Sequence, residues 1–309
     1  MRRKVGAALA FVGGFLVVLA ILAQAYAPGA LEKTPIDVNT TTELEGTAQL
    51  PDASGDLQET PVKAYSITHT DSEKSDDNVA VFQNFACLVK DEGDVTTCVS
   101  ADDPQDRLIN ASEDNFAADR VDALAVNDPK YLPADAVPHE GLVNKWPFHS
   151  KKTTYPYWDT VLQTTVDAKY DRTETLDGVE CYVYVATVSD APAEVSDGIQ
   201  GTYTDEKEFF IEPLTGGIVD QREHQQRFTD NGDVLLDLTL AFTKDQVQTF
   251  ADDIGGQADQ LNTLTKTVPV VGYAVGIPML LIGLALLFLG RNGSAPSAPS
   301  RQPVAAGSK

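Results

Sequence analysis

Between Pro28 and Lys266 the sequence is short of positive charge: 17 Lys and Arg face all 46 Asp and Glu, a net charge of −29. Such a segment repels phosphate backbones and anionic lipid surfaces, which excludes nucleic acid as a partner. The ordinary reading of so many carboxylates is a solvated surface that keeps an exported domain soluble. Catalytic signatures are missing as well: the chain holds no G-x-S-x-G, H-E-x-x-H, P-loop or EF-hand pattern. Its four histidines, His69, His139, His149 and His224, lie far apart and lack metal-ligand spacing. The acidic turn Asp230-Asn231-Gly232-Asp233 offers oxygen ligands for Ca²⁺, but a plain hairpin turn is the stronger reading. No internal repeat is present. The sequence therefore predicts a protein that is not an enzyme and needs no cofactor.

The two ends lack charge in a different way. Val5 to Ala27 is an uncharged run in which Gln24 is the only strongly polar residue, and Val268 to Gly290 is a second uncharged run, followed at once by Arg291. About 20 apolar residues in a helix cross the hydrocarbon core of a bilayer. A cleaved signal peptide competes for the first run, since Ala23, Ala25 and Ala27 resemble a cleavage site. Its apolar stretch, however, outruns the usual signal core of roughly 7–15 residues. Pro269 and Pro278 do not exclude the second span, because neighbouring groups can re-satisfy the freed carbonyls.

Both outer flanks are basic, and everything between is acidic. The positive-inside rule then sets both termini in the cytoplasm, as a two-pass plasma-membrane protein. The expected organisation is a cytoplasmic start at 1–4, a transmembrane helix at 5–27, an extracytoplasmic β-rich domain at 28–266, a second transmembrane helix at 267–290 and a disordered cytoplasmic tail at 291–309. Gly6, Ala10 and Gly14 share one helical stripe, as do Gly272 and Gly276, a spacing that lets helix backbones pack closely.

Alternation dominates the middle. Val234, Leu236, Leu238, Leu240 and Phe242 point one way, with Leu235, Asp237 and Thr239 the other. Leu162, Val166, Ala168 and Tyr170 likewise oppose Gln163, Asp167 and Lys169. Turns at Asp177-Gly178, Gly216-Gly217 and Asn231-Gly232 separate such runs, predicting a mainly β ectodomain, an antiparallel sheet or a barrel-like form of one. A C-terminal helix follows: Thr243 and Gln246 fit a capping box, then Val247, Phe250, Ile254, Ala258 and Leu261 recur at helical spacing. A second helix is expected around Ala118–Val126.

A two-residue turn at Glu92-Gly93 would set Cys87 directly opposite Cys98. Opposed strand residues lie about 4.5–5.5 Å apart at Cα, within disulfide reach, and an exported domain is where disulfides persist. Cys181 alternates with Val183 and Val185 and reads as a buried, inert thiol.

The segment Trp146 to Asp159, WPFHSKKTTYPYWD, is rich in aromatic residues and proline. One reading is a rigid connection into a strand beginning at about Thr160. The sharper one is a ligand or partner contact made by Trp146, Phe148, Lys151, Lys152, Tyr155, Tyr157 and Trp158, since aromatic side chains supply large contact areas.

This segment resembles a signature of the actinobacterial porin PorA family, in which a PF motif is followed by a lysine and then a YPYxD-like string. Asp119–Asn127 (DRVDALAVN), DGVECYVY and FFIEPLTGGIV fit as well, so the resemblance covers nearly the whole chain. It implies an actinobacterial envelope and two anchors, and it carries over no catalytic residues. An outer-membrane barrel, by contrast, needs lipid-facing apolar strands of about 9–11 residues and no helical anchors. Two helices flanking a β ectodomain is also the layout of class B scavenger receptors, whose ectodomain encloses a lipid tunnel, a comparison of topology alone. Three expectations stand. The ectodomain binds, transfers or helps assemble membrane lipid or lipoglycan through an apolar cavity; or it is a structural subunit partnering an envelope-biosynthesis protein such as a membrane-bound glycosyltransferase; or it forms a pore.

Overall fold

A computed structural model describes residues 2–289 apart from 53 and 94, in two compact units: Met1–Ala30 with Asn262–Lys309, and Leu31–Leu261. The tail expected at 291–309 lies outside the described residues.

The first unit pairs two helices, α1 (Arg2–Leu31) and a C-terminal helix, Val268–Leu289. Both are long and apolar enough to cross a membrane, with mean hydropathies of 2.7 and 2.3 over their most apolar windows. They meet through small residues: Gly6, Gly13 and Ala20 are buried on one, and Gly272, Gly276 and Gly283 on the other. The expected stripe through Gly14 is corrected. Gly14 turns aside towards the tip of Leu280, and on α1 the buried small residues recur every seven positions, which keeps them facing a partner helix as the pair winds, while Gly272 and Gly276 keep the expected spacing of four. Tyr273 Oη donates to Gln24 Oε1 at 2.9 Å, giving a partner to the one strongly polar residue of the uncharged run Val5–Ala27.

The second unit is built on a ten-stranded antiparallel sheet: β1 (Asn39–Pro51), β2 (Leu57–Thr70), β3 (Val79–Lys90), β4 (Leu108–Asp119), β5 (Tyr155–Asp159), β6 (Thr164–Leu176), β7 (Val179–Ser196), β8 (Ile199–Ile211), β9 (Ile218–Thr229) and β10 (Val234–Phe242). The spatial order is β4-β3-β2-β1-β10-β9-β8-β7-β6-β5, two meanders joined where β1 pairs with β10. Isolated bridges Ala118↔Ala125, Leu124↔Leu142 and Leu142↔Tyr157 link the edge strands β4 and β5, so the sheet curls round to its own edge. Closure of this kind removes the open edges that invite aggregation.

Alternation in sequence becomes alternation in burial. Leu236, Leu238, Leu240 and Phe242 face inward with Leu44, Ala48, Val62 and Leu88, while Thr239 on β10 is exposed. Asp177 (φ 44) and Gly178 (φ 87) both take the left-handed conformation between β6 and β7, the two-residue turn whose twist matches a hairpin. Helix α2 (Lys244–Asn262) starts at the expected cap, with the Gln246 N–H donating to Thr243 Oγ1 at 3.2 Å. The other half of the box is diverted: Gln246 Oε1 accepts from the Glu43 N–H on β1, tying helix to sheet. Ala251 and Ile254 then pack on Cys181, Val183, Phe210 and Val219, on the opposite face from Phe209. A π-helical turn, Thr263–Thr267, follows α2 and leads to the helix Val268–Leu289, here α3.

Three local expectations are corrected. No helix forms around Ala118–Val126; β4 runs to Asp119, whose carboxylate accepts the N–H groups of Val121 and Asp122 and turns the chain. The YPYWD string is itself the edge strand β5, and the next strand begins at Thr164 rather than about Thr160. The Cys87–Cys98 disulfide is present, with Cα atoms 5.8 Å apart, but not across a hairpin. Cys87 on β3 opposes Ala111 on β4, while Cys98 belongs to the long β3–β4 loop, whose Val95, Cys98 and Val99 fold back onto Tyr65 and Val89.

Candidate ligand-binding site

The aromatic segment divides between core and surface. Trp146 is fully buried, stacked on Tyr157 (centroids 5.3 Å apart) and packed at a tilt against Phe209 (4.8 Å) and Tyr184 (5.4 Å). Its backbone N–H donates to the Gly216 carbonyl at 2.9 Å, and Gly216 takes φ 75 in the β8–β9 turn, where a side chain would strike the Trp146 carbonyl. Trp158 is buried against His139, 4.6 Å between rings, and His139 Nε2 lies 2.9 Å from the Asp114 carboxylate. Tyr155 packs edge-on against Tyr184 and gives its oxygen to the Lys151 N–H. Lys151 and Lys152 are exposed, Lys152 Nζ lying over the rings of Tyr182 (4.7 Å) and Tyr170 (5.4 Å). Of the seven residues singled out in sequence, Phe148 lines one of two cavities beside α2, and the other six line neither.

That cavity, about 350 Å³, lies within the second unit between the segment after α1, the Lys145–Phe148 stretch and one side of α2. Leu31, Pro35, Val38, Phe148, Ile254 and Leu261 give it apolar walls, and Lys33, Thr34, Lys145, Gln257 and Gln260 give it polar points. Lys145 Nζ sits 3.9 Å from the centre of the Phe148 ring and donates to Thr34 Oγ1 at 3.3 Å. Burial lowers its amine to about 7, against the partial support of Glu212. Sequence reasoning passed over Lys145; its signal was a lysine beside Trp146 in a domain short of bases.

A second cavity, about 510 Å³, lies against another face of α2 and has the opposite character: Asp177, Glu180, Glu212, Asp252 and Asp259 line it. Cys181, on the sheet face that α2 covers, is fully buried as expected, and burial pushes its thiol up to about 12, which disfavours the thiolate.

Inside the curl a buried ionic cluster breaks the apolar pattern. Lys207 Nζ lies 3.3 Å from Asp205 and 3.4 Å from Glu223, and Tyr203 Oη donates to Asp159 at 3.1 Å. Burial raises Asp205 to about 6 although Lys207 opposes the shift. Burial would lower the Lys207 amine, yet Glu223 and Asp205 hold it above its ordinary range. The outward face of the same strands carries Glu206, Arg222 and His224, exposed to solvent, with Arg172 bridging to Glu208 at 2.8 Å. A sheet so charged on its outside cannot face lipid.

A curled β domain with charged strands, flanked in the chain by two helices long and apolar enough to cross a membrane, defines the architecture. The chain belongs to the Porin PorA family, whose model matches residues 5–285. A Corynebacterium amycolatum protein described as Porin PorA is 28% identical over 223 residues, covering 61% of this chain and 58% of the relative. The chain thus matches less than two thirds of that relative's length.

Proposed function

We propose that this chain is a non-enzymatic envelope protein, held by two transmembrane helices with both termini in the cytoplasm, whose exported β domain binds or helps transfer lipid or lipoglycan. The observation that carries this reading is the apolar cavity of about 350 Å³ bounded by Leu31 and Leu261, the first and last residues of the β domain's compact unit. Ligand sites of roughly 300–1,000 Å³ with mostly apolar walls and a few polar points are the usual pattern. Native mass spectrometry of gently extracted protein tests it: a co-purifying amphiphile is expected, and its absence, together with no uptake of added lipid, overturns the reading.

The family name favours a second reading, a pore. The β domain is a poor conduit, since Trp146, Leu142, Tyr184 and Phe209 fill its interior at 0–1% exposure. A pore would have to form from the helices of several chains. Conductance by purified protein in planar bilayers, lost when α1 and α3 are removed, would establish that reading.

A further inference from the structure

The cavity beside α2 departs from the rest of the domain in charge. Its walls contain Lys33 and Lys145 and not one carboxylate, although acids outnumber bases 46 to 17 between Pro28 and Lys266. The neighbouring cavity on the same helix has five. Lys145 stands at the apolar wall formed by Phe148, and among the described residues no carboxylate lies within ion-pair distance of it. Lys33 is the other cation facing the cavity, and α2 contributes only Gln257, Gln260, Ile254 and Leu261. Glu212, the acid that acts on Lys145 from the β8–β9 turn, is already engaged by the N–H groups of Leu214 and Thr215 and by Thr215 Oγ1. A cation kept from carboxylates at the edge of an apolar space is a receptor for an anion attached to something apolar.

We infer that this cavity takes a single acyl or alkyl chain ending in an oxyanion, with Lys145 as the head-group contact and Lys33 beside it. At about 350 Å³ the space suits one chain and not two. The inference rests on the lipid reading above and specifies the sign of the ligand's charge, against the repulsion that the domain as a whole exerts on anions. It also makes binding proton-linked. Burial leaves the free Lys145 amine about 7, so an arriving anion raises it and a proton is taken up near neutrality.

The test uses the full chain in nanodiscs of zwitterionic lipid, with two photoreactive probes: a long-chain alkyl phosphate bearing a diazirine, and the matching alcohol. Labelling of peptides spanning 31–38 and 254–261 is read by mass spectrometry. The phosphate should label at least about tenfold more than the alcohol at about pH 6, and that preference should shrink towards about pH 9. Lys145→Met should abolish the preference while alcohol labelling persists, which shows that the cavity is intact. Lys145→Arg should keep the preference and flatten its pH dependence. Equal labelling by both probes, or an undiminished preference in Lys145→Met, overturns this inference and leaves the lipid reading standing. No labelling by either probe overturns both.

Discussion

Gly276 of α3 packs directly on Gly13 of α1: a methyl group at Gly276 would lie 2.9 Å from the Gly13 carbonyl oxygen and 3.0 Å from Leu16 Cβ. The helix pair is therefore held by backbone approach, the packing that works where lipid removes any hydrophobic advantage. Gly276→Ile should push the helices apart. Nitroxide pairs at positions 4 and 285, measured by pulsed electron resonance in nanodiscs, should report a longer and broader distance than in the parent chain. An unchanged distance would mean that this seam does not hold the pair.

The Asp205 carboxyl, raised by burial to about 6 from an ordinary 3.8, makes the β domain sensitive to pH in a definite direction. Above about pH 6 the folded domain carries a buried charge that the unfolded chain keeps in water. As pH falls from about 6 towards 4, the folded state takes up a proton first, so this group's contribution to stability rises. Between pH 8 and pH 5 the parent chain should gain roughly 1–3 kcal/mol relative to Asp205→Asn in urea unfolding. Parallel pH profiles for the two proteins would refute the assignment.

The Cys87–Cys98 bond closes a separation of 11 residues. Closing a loop of that length costs the unfolded chain about 3 kcal/mol of entropy in the chain-entropy account. The double variant Cys87→Ala, Cys98→Ala should therefore unfold at lower urea concentration, and added reductant should do the same to the parent but nothing further to the variant. Buried Cys181 should resist alkylation in the folded protein throughout.

Much of this fold is legible in the sequence because it is local. Period-two runs give β6 and β10, Asp177-Gly178 and Asn231-Gly232 mark hairpins, and the cap at Thr243 opens α2. Where the reading failed, distant residues decide the outcome. Ala118–Val126 has a helix-like composition, but Phe116 and Ala118 are claimed by the core with Phe82 and Trp158, and Leu124 and Ala125 are drawn into closing the sheet. The Cys87–Cys98 pairing was right although the turn assumed for it was not, because a disulfide needs only proximity and a loop can supply that as well as a strand. The site was the least legible part. Trp146 and Phe148 are nearly adjacent in sequence, yet the Trp146 N–H bond to Gly216 fixes the backbone so that one fills the core and the other lines the cavity with Lys145. Only the β8–β9 turn, some seventy residues later, decides that split.

The first and last strands of the meander lie side by side, Leu44 opposite Phe242, with the Thr243 N–H bonded to the Glu43 carbonyl at 3.1 Å. The chain thus enters and leaves the sheet through neighbouring doors, each continuing to its own apolar helix. On the two-anchor reading proposed above, one consequence concerns shedding: a protease that severs a single leg leaves the domain tethered by the other, and only two cuts would set it free.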